Sequence, residues 1–146
     1  MLSRSTDNSI RVLDAETGTL DTSLIGHESV VLGLAVRGDR LFSASADGTI
    51  RVWALGTWAA LQTVEASARG TKQYPVCLTV SGSQLVSGSA GYDSLPQEVR
   101  VWGLETLELQ HTLPQHAGED VRALLATKGE VWAGVDNDVV VWGRGA

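Results

Sequence analysis

Residues 41–53 read L-F-S-A-S-A-D-G-T-I-R-V-W, and this pattern recurs along the chain. Residues 1–13, M-L-S-R-S-T-D-N-S-I-R-V-L, align with it without gaps. A third copy reads L-V-S-G-S, is interrupted, and resumes as E-V-R-V-W, and a fourth reads V-W-A-G-V-D-N-D-V-V-V-W. The copies end at Leu13, Trp53, Trp102 and Trp142, which are 40, 49 and 40 residues apart. The chain is therefore built of internal repeats.

Each copy has the pattern of short strands. Leu41, Ser43 and Ser45 alternate with Phe42 and Ala44, which is the period of a strand with two different faces. The pairs Asp-Gly at 47–48 and Asp-Asn at 7–8 predict hairpin turns, because Gly and Asn tolerate positive φ. The apolar stretch 104–109 could form a helix, but it occupies the place of a strand in the other copies. The pattern predicts an all-β protein.

Short strands repeating every ~40 residues resemble the WD-repeat of β-propellers. In that family, a Gly-His pair precedes the innermost strand of a blade, an Asp occupies the turn between the second and third strands, and a Trp ends the third. Gly26, His27, Asp47 and Trp53 match all of these positions. The resemblance implies propeller blades of four antiparallel strands, about 3.5 in number and thus incomplete. We expect the chain to be the carboxyl-terminal half of a larger propeller.

The repeats divide the chain into four predicted segments. These are a partial blade at 1–24, a blade at 25–64, a blade with loop insertions at 65–113 and a partial blade at 114–146. The predicted numbers of strands are three, four, four and three. Closed propellers have at least about four blades. We therefore expect the missing blades to be supplied by a longer chain or by self-association.

The resemblance also implies a polar brace within the best-preserved repeat. His27 would link Asp47 to either Ser43 or Ser45, and Trp53 would end this hydrogen-bonded chain. A serine, a histidine and an aspartate also suggest a catalytic triad, but no nucleophile elbow or oxyanion-hole motif accompanies them. We predict that the brace is structural.

Two insertions distinguish the third repeat, one around residues 67–73 and the other around 91–97. By resemblance, the loops that contain them leave a propeller on the same rim. Tyr and Arg side chains on loops are typical of interaction hot spots, whereas tolerated loop padding is the alternative. The candidate partner-binding residues are Arg69, Lys72, Tyr74, Tyr92, Asp93 and Leu95.

Composition and charge exclude several classes of function. The net charge of −6 and the pI of about 4.9 argue against binding to a nucleic-acid backbone or to an anionic membrane. The lone cysteine, Cys77, cannot form an intrachain disulfide, and its apolar neighbours predict burial. No stretch resembles a signal peptide or a membrane span. We expect an intracellular protein, cytoplasmic or nuclear.

These observations together predict a non-enzymatic scaffold that binds other proteins on the propeller rim and needs no cofactor or metal. Residues 41–53 are similar to propellers of ubiquitin-ligase substrate adaptors. One alternative is a self-associating fragment that closes a ring as a homo-oligomer. Another is an enzyme that uses the propeller channel, which we disfavour because the predicted inner strands carry mainly Val, Leu, Ala and Cys77.

Overall fold

Hairpin-linked strands account for the secondary structure that a computed structural model describes at residues 2–4, 7–67, 72–91, 96–117, 120–127, 129–136 and 138–143. For residues 2–4, 96 and 114–117 it describes the backbone alone. The strands are β1 (Leu2–Arg4), β2 (Ile10–Leu13), β3 (Leu20–Leu24), β4 (Val31–Arg37), β5 (Arg40–Ser45), β6 (Thr49–Ala54), β7 (Ala60–Glu65), β8 (Gln73–Ser81), β9 (Gln84–Gly91), β10 (Pro96–Gly103), β11 (Leu109–Ala117), β12 (Val121–Thr127), β13 (Glu130–Val135) and β14 (Asp138–Gly143).

The strands form four antiparallel sheets, each of which pairs strands in chain order. The first sheet is β1-β2-β3, the second β4-β5-β6-β7, the third β8-β9-β10-β11 and the fourth β12-β13-β14. This is the predicted sequence of three, four, four and three strands, and the all-β fold of propeller-type blades is confirmed. The four segment limits derived from the repeats stay a prediction.

Apolar residues on both faces of the sheets hold neighbouring sheets together. Alternation along β5 turns Phe42 toward the third sheet and Leu41 toward the first, and both side chains are fully buried. Three clusters follow from this pattern, one at each junction between consecutive sheets. The buried members between the first and second sheets are Ile10, Val12, Leu24, Val31, Leu41 and Trp53. Those between the second and third sheets are Phe42, Ala44, Ile50, Val52, Ala66, Leu85, Trp102, Leu104 and Leu107. Those between the third and fourth sheets are Val86, Val99, Val101, Val121, Ala133 and Val135.

The inner strands of adjacent sheets approach one another closely. β4 lies beside β8, and β8 lies beside β12. A Cβ atom at Gly33 in β4 would lie 3.1 Å from the carbonyl oxygen of Val76 and 3.2 Å from the Cα atom of Cys77. Both atoms belong to the backbone of β8 and cannot rotate away. Glycine therefore lets these two strands approach more closely than a residue with a Cβ atom would.

The hairpin turns have the backbone that the sequence predicts, because Asn8 and Gly48 adopt φ angles of 67° and 86°. The prediction of a strand across 104–109 is wrong for all but the last residue of this stretch. The strand β11 begins at Leu109, and the preceding residues form a turn in which the amide of Leu107 donates to the carbonyl of Gly103. The helical alternative is also wrong for this stretch.

Turns between the third and fourth strands of the second and third sheets each close one end of a junction. The same amide-to-carbonyl bond recurs from Trp58 to Ala54 and from Gly18 to Asp14. Leu107 and Trp58 adopt φ angles of 54° and 59°, although left-handed backbone costs a non-glycine residue about 1–2 kcal/mol. Both side chains pack into the clusters between sheets. Apolar burial therefore offsets the backbone strain.

Within the described part of the chain, no helix has the length and apolar character needed to cross a membrane.

Substitutions at Leu107 test this balance between strain and burial. Leu107→Ala should destabilise the protein by about 2–5 kcal/mol, because it loses the buried side chain and keeps the strained backbone. Leu107→Gly should cost about 1 kcal/mol less, because glycine adopts positive φ freely. The free energy of unfolding in urea measures both. Leu85, fully buried within β9, is the control: there the glycine variant should be less stable than the alanine variant. The same order of stability for the alanine and glycine variants at Leu107 and at Leu85 would contradict a strained backbone at Leu107.

Candidate functional site

A chain of polar side chains lies in the second sheet, on the face turned toward the first. His27 comes from the loop between β3 and β4, Ser43 from β5, Asp47 from the β5–β6 turn and Trp53 from β6. The His27 Nδ1 atom lies 2.8 Å from Asp47 Oδ2, and its Nε2 atom lies 2.7 Å from Ser43 Oγ. The Trp53 Nε1–H donates to Ser43 Oγ at 2.9 Å.

One assignment of protons gives a hydrogen-bond partner to every polar side chain in this series. Trp53 is a donor only, so Ser43 Oγ accepts from it and is free to donate its own proton to His27 Nε2. In this arrangement His27 carries a proton on Nδ1 and donates it to the Asp47 carboxylate. This tautomer is inferred from the network of partners. Every polar group in the series has a partner, which is what burial demands of hydrogen-bonding groups.

Ser45 does not join this chain, although the sequence placed it there as the alternative to Ser43. Its hydroxyl donates to the carbonyl of Ser29 at 3.0 Å and accepts from the amide of Asp47 at 3.1 Å. Ser45 thus holds the start of the β5–β6 turn in place. Of the two serines, Ser43 is the one that contacts His27.

Thr49 was missed by the sequence analysis. Its amide and its hydroxyl both donate to Asp47 Oδ1, at 2.8 Å and 2.6 Å. In the first sheet, Ser9 makes the same two contacts with Asp7 Oδ1, at 3.1 Å and 2.6 Å. The shared pattern Asp-x-Ser/Thr was visible in the repeats and could have revealed this contact.

Hydrogen bonds determine the ionisation of Asp47. Burial alone would raise the pKa of the carboxyl group, but donors from His27, Thr49 and the amide of Glu28 outweigh it and hold the pKa well below the ordinary value of 3.8. The carboxylate thus stays charged in the folded protein throughout the neutral and mildly acidic range.

The geometry of Ser43, His27 and Asp47 resembles a catalytic triad, but Ser43 is fully buried. Its oxygen accepts from Trp53 and bonds to His27, so no substrate carbonyl can approach it. Cys77 is only partly buried, in contrast to the sequence prediction. Its thiol lies 3.5 Å from the carbonyl oxygen of Val121, and burial raises its pKa to about 12, so it is not a thiolate at neutral pH.

Gly26 is explained by the packing around the brace. A Cβ atom there would lie 2.6 Å from Arg51 Nη1 and 3.2 Å from the Trp53 ring. The Arg51 guanidinium therefore crosses the loop that carries His27. The equivalent Arg100 donates to the carbonyl of Ala66, in the loop after the second sheet. Arg100 thus ties the third sheet to the loop that follows the second sheet.

The third and fourth sheets retain progressively less of the brace. Trp102 Nε1 donates to Ser87 Oγ at 2.9 Å, which reproduces the Trp53–Ser43 contact. In the fourth sheet, Ala133 occupies the position of that serine beside the strand that carries Trp142. The polar brace is complete in the second sheet, and apolar packing replaces it in the fourth.

The two predicted partner-binding residues that the structure describes, Lys72 and Tyr74, lie around the start of β8, on the rim that also carries His27 and Asp47. Lys72 is exposed and Tyr74 is half-buried in β8, where it pairs with Ala90 of β9. The remaining candidates lie outside the described residues: Arg69, Tyr92, Asp93 and Leu95. Among the described residues, no group of three or more His, Cys, Asp and Glu is placed to hold a metal ion.

A sequence-family comparison identifies the repeat. Residues 18–54, which contain Gly26, His27, Asp47 and Trp53, match the family described as "WD domain, G-beta repeat".

Three curated proteins are similar over parts of the chain. Zinc finger CCCH domain-containing protein 62 of Arabidopsis thaliana is 26% identical over 123 residues, which is 82% of this chain and 27% of that protein. Zinc finger CCCH domain-containing protein 17 of Oryza sativa subsp. japonica is 52% identical over 42 residues, or 29% of this chain and 10% of that protein. Transcription initiation factor TFIID subunit 5 of Drosophila melanogaster is 39% identical over 61 residues, or 40% of this chain and 9% of that protein. The chain thus spans less than a third of each relative.

Solved structures share the fold over nearly the whole chain. The computationally designed Ika4 protein superposes with a TM-score of 0.77 at 29% identity and covers 99% of this chain and 84% of its own. U3-55K superposes with a TM-score of 0.79 at 24% identity and covers 97% of this chain and 42% of its own. At that identity, the likeness to U3-55K establishes the fold alone.

Removal of one member of the brace should leave buried partners unsatisfied. Ser43→Ala is expected to cost about 1–3 kcal/mol, since both the Trp53 N–H and His27 Nε2 lose their partner. Chemical denaturation measures this difference. Ser83→Ala, at an exposed hairpin residue, is the matched control and should leave the free energy of unfolding unchanged. An equal, small effect at the two serines would contradict a stabilising brace.

Acid should weaken the fold through Asp47. Its pKa is lower in the folded than in the unfolded protein, so the stabilisation is complete above pH 3.8 and is lost as the pH falls below that value. Asp47→Asn should be less stable than the wild type at neutral pH, and the difference should narrow in acid. Denaturant titrations across this range measure it. Asp39→Asn, which removes an exposed charge, should retain the wild-type slope; a difference between Asp47→Asn and wild type that is constant with pH would refute the assignment.

Proposed function

Since residues 18–54 match the WD-repeat family, we propose that the chain is a non-catalytic scaffold that binds other proteins on one rim. This rim carries the loops before the first strand and after the second strand of the second, third and fourth sheets. WD-repeat proteins generally act as protein-interaction scaffolds. The observation that carries the proposal for this chain is a small depression on that rim, apolar on one side and charged on the other, beside the two loop insertions of the third repeat.

The two insertions meet at residues that are neighbours in the third sheet. Gln73, the last residue of the first insertion, pairs with Gly91, the first residue of the second. A Cβ atom at Gly91 would lie 2.6 Å from the carbonyl oxygen of Lys72. Both loops therefore leave the sheet from one place. Loops that leave a rigid sheet side by side form a shared surface, a common arrangement for binding residues.

A depression of about 260 Å³ lies next to this place. Its apolar walls come from the inner strands and from Ala90, the residue that pairs with Tyr74. Asp120 and Arg122 form its charged side. An apolar pocket with a charged border suits an apolar anchor side chain of a protein partner. Its lining residues are Leu32, Val76, Ala90, Asp120, Val121 and Arg122.

The charged border is held in place by contacts within the protein. Arg122 Nε donates to Asp136 Oδ1 at 2.9 Å, and its guanidinium lies 3.6 Å from Asp120 Oδ2. Asp120 Oδ1 accepts from the amide of Gly91 at 3.3 Å. The depression is thus connected to the base of the second insertion. A preorganised border lowers the entropy lost when a partner binds.

Two more specific proposals accompany this docking role. A function as a ubiquitin-ligase substrate adaptor rests on the resemblance of residues 41–53 and stays a prediction. An intracellular location, cytoplasmic or nuclear, accords with the occurrence of a transcription initiation factor subunit among the relatives. The acidic net charge of −6 favours proteins over nucleic acids or anionic membranes as partners.

Substitution of the rim should separate binding from stability. The purified chain is immobilised, and proteins retained from a cell extract are quantified by mass spectrometry at low and high salt. Val76→Glu, which places a charge against the depression, should reduce the retained set of partners at both salt concentrations. Tyr74→Ala should do the same to a smaller extent, while the melting temperature of that variant changes little.

Leu61→Glu is the matched control, since Leu61 is exposed on the outer strand β7, away from this rim. It should retain the wild-type set of proteins. Retention that is the same for wild type, Val76→Glu and Leu61→Glu would overturn the rim as the docking site. Retention of duplex DNA or RNA probes, lost in high salt, would overturn the preference for protein partners.

A further inference from the structure

A second depression lies on the opposite rim, between the second and third sheets. This rim carries the turns from the first to the second strand and from the third to the fourth strand of these sheets. The depression has a volume of about 380 Å³, and the buried side chains of Phe42 and Leu104 lie at its base. Its walls come from the β4–β5, β8–β9 and β10–β11 turns.

Two arginines stand directly opposite each other in the wall that the second sheet supplies. Arg37 ends β4, Arg40 begins β5, and the two residues pair across the hairpin. Opposed residues in antiparallel strands project from the same face, with Cβ atoms about 5 Å apart. This face is turned toward the third sheet, because Phe42, two residues after Arg40, packs there. Like charges in such a pair repel each other.

The hairpin itself does not require this pair of charges. At the equivalent positions the third sheet pairs Ser81 with Gln84, and the fourth sheet pairs Thr127 with Glu130. Both hairpins close at the same register without an arginine at either position. A repulsive pair that the turn does not need indicates a ligand of the opposite charge.

A carboxylate of the protein itself shows what the arginines accept. Glu105 Oε2, from the β10–β11 turn, lies 3.0 Å from Arg40 Nη2. The Glu105 side chain is 73% exposed, and exposed ion pairs of this kind contribute little to stability. Another carboxylate can therefore displace Glu105 from Arg40 at low cost. Arg37 is exposed and has no ion pair among the described residues.

The other negative charges of the chain do not cancel the effect of the arginine pair. Asp39 also lines the depression, but it is exposed and forms no ion pair with either arginine in the described structure. The net charge of −6 belongs to the whole chain. Salt screens exposed charges beyond about 10 Å at roughly 0.1 M. The two guanidinium groups therefore dominate the field at short range.

We propose that Arg37 and Arg40 dock an acidic segment of a protein partner, and that a carboxylate of this segment takes the place of Glu105. A planar guanidinium group can bind both oxygens of a carboxylate. An apolar side chain next to that carboxylate fits the base of the depression at Phe42 and Leu104. The site lies on the rim opposite to the depression at Val76, so this docking is independent of the function proposed above.

Peptide binding to the purified chain tests the chemistry of the site. Two pools of fluorescent peptides with random flanks carry either Leu-Glu-Glu or Leu-Gln-Gln at the centre, and fluorescence anisotropy measures their affinity. The Glu pool should bind about tenfold more tightly, because charge-assisted hydrogen bonds are stronger than neutral ones. Equal binding of the two pools would overturn the proposal. Binding to vesicles of anionic phospholipid that is tighter than to the Glu pool would also overturn it.

Substitutions in the depression test the place of binding. Arg37→Ser and Arg40→Gln introduce the residues that the third sheet carries at these positions, so the melting temperature should not fall. Each variant should lose the preference for the Glu pool. Glu105→Gln should tighten binding of that pool about two- to fivefold, because the internal competitor is removed.

Arg11→Gln is the matched control. Arg11 is half-exposed and paired with Asp7 at 3.3 Å, as Arg40 is paired with Glu105, but it lies on the first sheet. Its variant should bind the Glu pool as the wild type does. Equal losses from Arg11→Gln and Arg40→Gln would show general charge attraction and overturn the site. Unchanged affinity in Glu105→Gln would overturn the displacement of Glu105.

Discussion

Packing of one sheet against the next, through apolar residues on both faces, is the constraint on which this structure depends. A three- or four-stranded sheet has little core of its own, and a single face buried against one neighbour is the usual solution. Here the second and third sheets bury both faces, so Leu41 and Phe42, adjacent in β5, belong to different clusters. Each of these strands consequently carries apolar residues on both of its faces, which is the pattern of strands covered on both sides.

The polar brace is placed within this apolar stack and positions the loop at its edge. Ser43 and Trp53 lie on the face toward the first sheet, and His27 joins them from the loop between the sheets. Asp47 then fixes the adjoining turn through Thr49 and the amide of Glu28. The buried end of this hydrogen-bonded series is held by packing. Its outer end determines the shape of the rim that carries the candidate binding surface.

Much of this arrangement could be predicted from the repeats. The order of the strands, the positive-φ turns at Asn8 and Gly48 and the direction of the side chains in β5 follow from local pattern and turn chemistry. The choice between Ser43 and Ser45 could not be predicted, because both side chains share one face of β5 and only their distance from His27 distinguishes them. The turn at Leu107 was missed because its apolar side chain suggests a strand, whereas tertiary burial keeps a leucine at a left-handed position.

Each sheet depends on its neighbour for stability, and amide hydrogen exchange tests this most directly. Ile50 is fully buried on the face of the second sheet that meets the third. Exchange monitored by mass spectrometry in Ile50→Ala should show that protection falls in β9 and β10 as well as in β5 and β6, because the two sheets share one cluster. A loss of protection confined to β5 and β6, with β9 and β10 unchanged, would contradict the central claim.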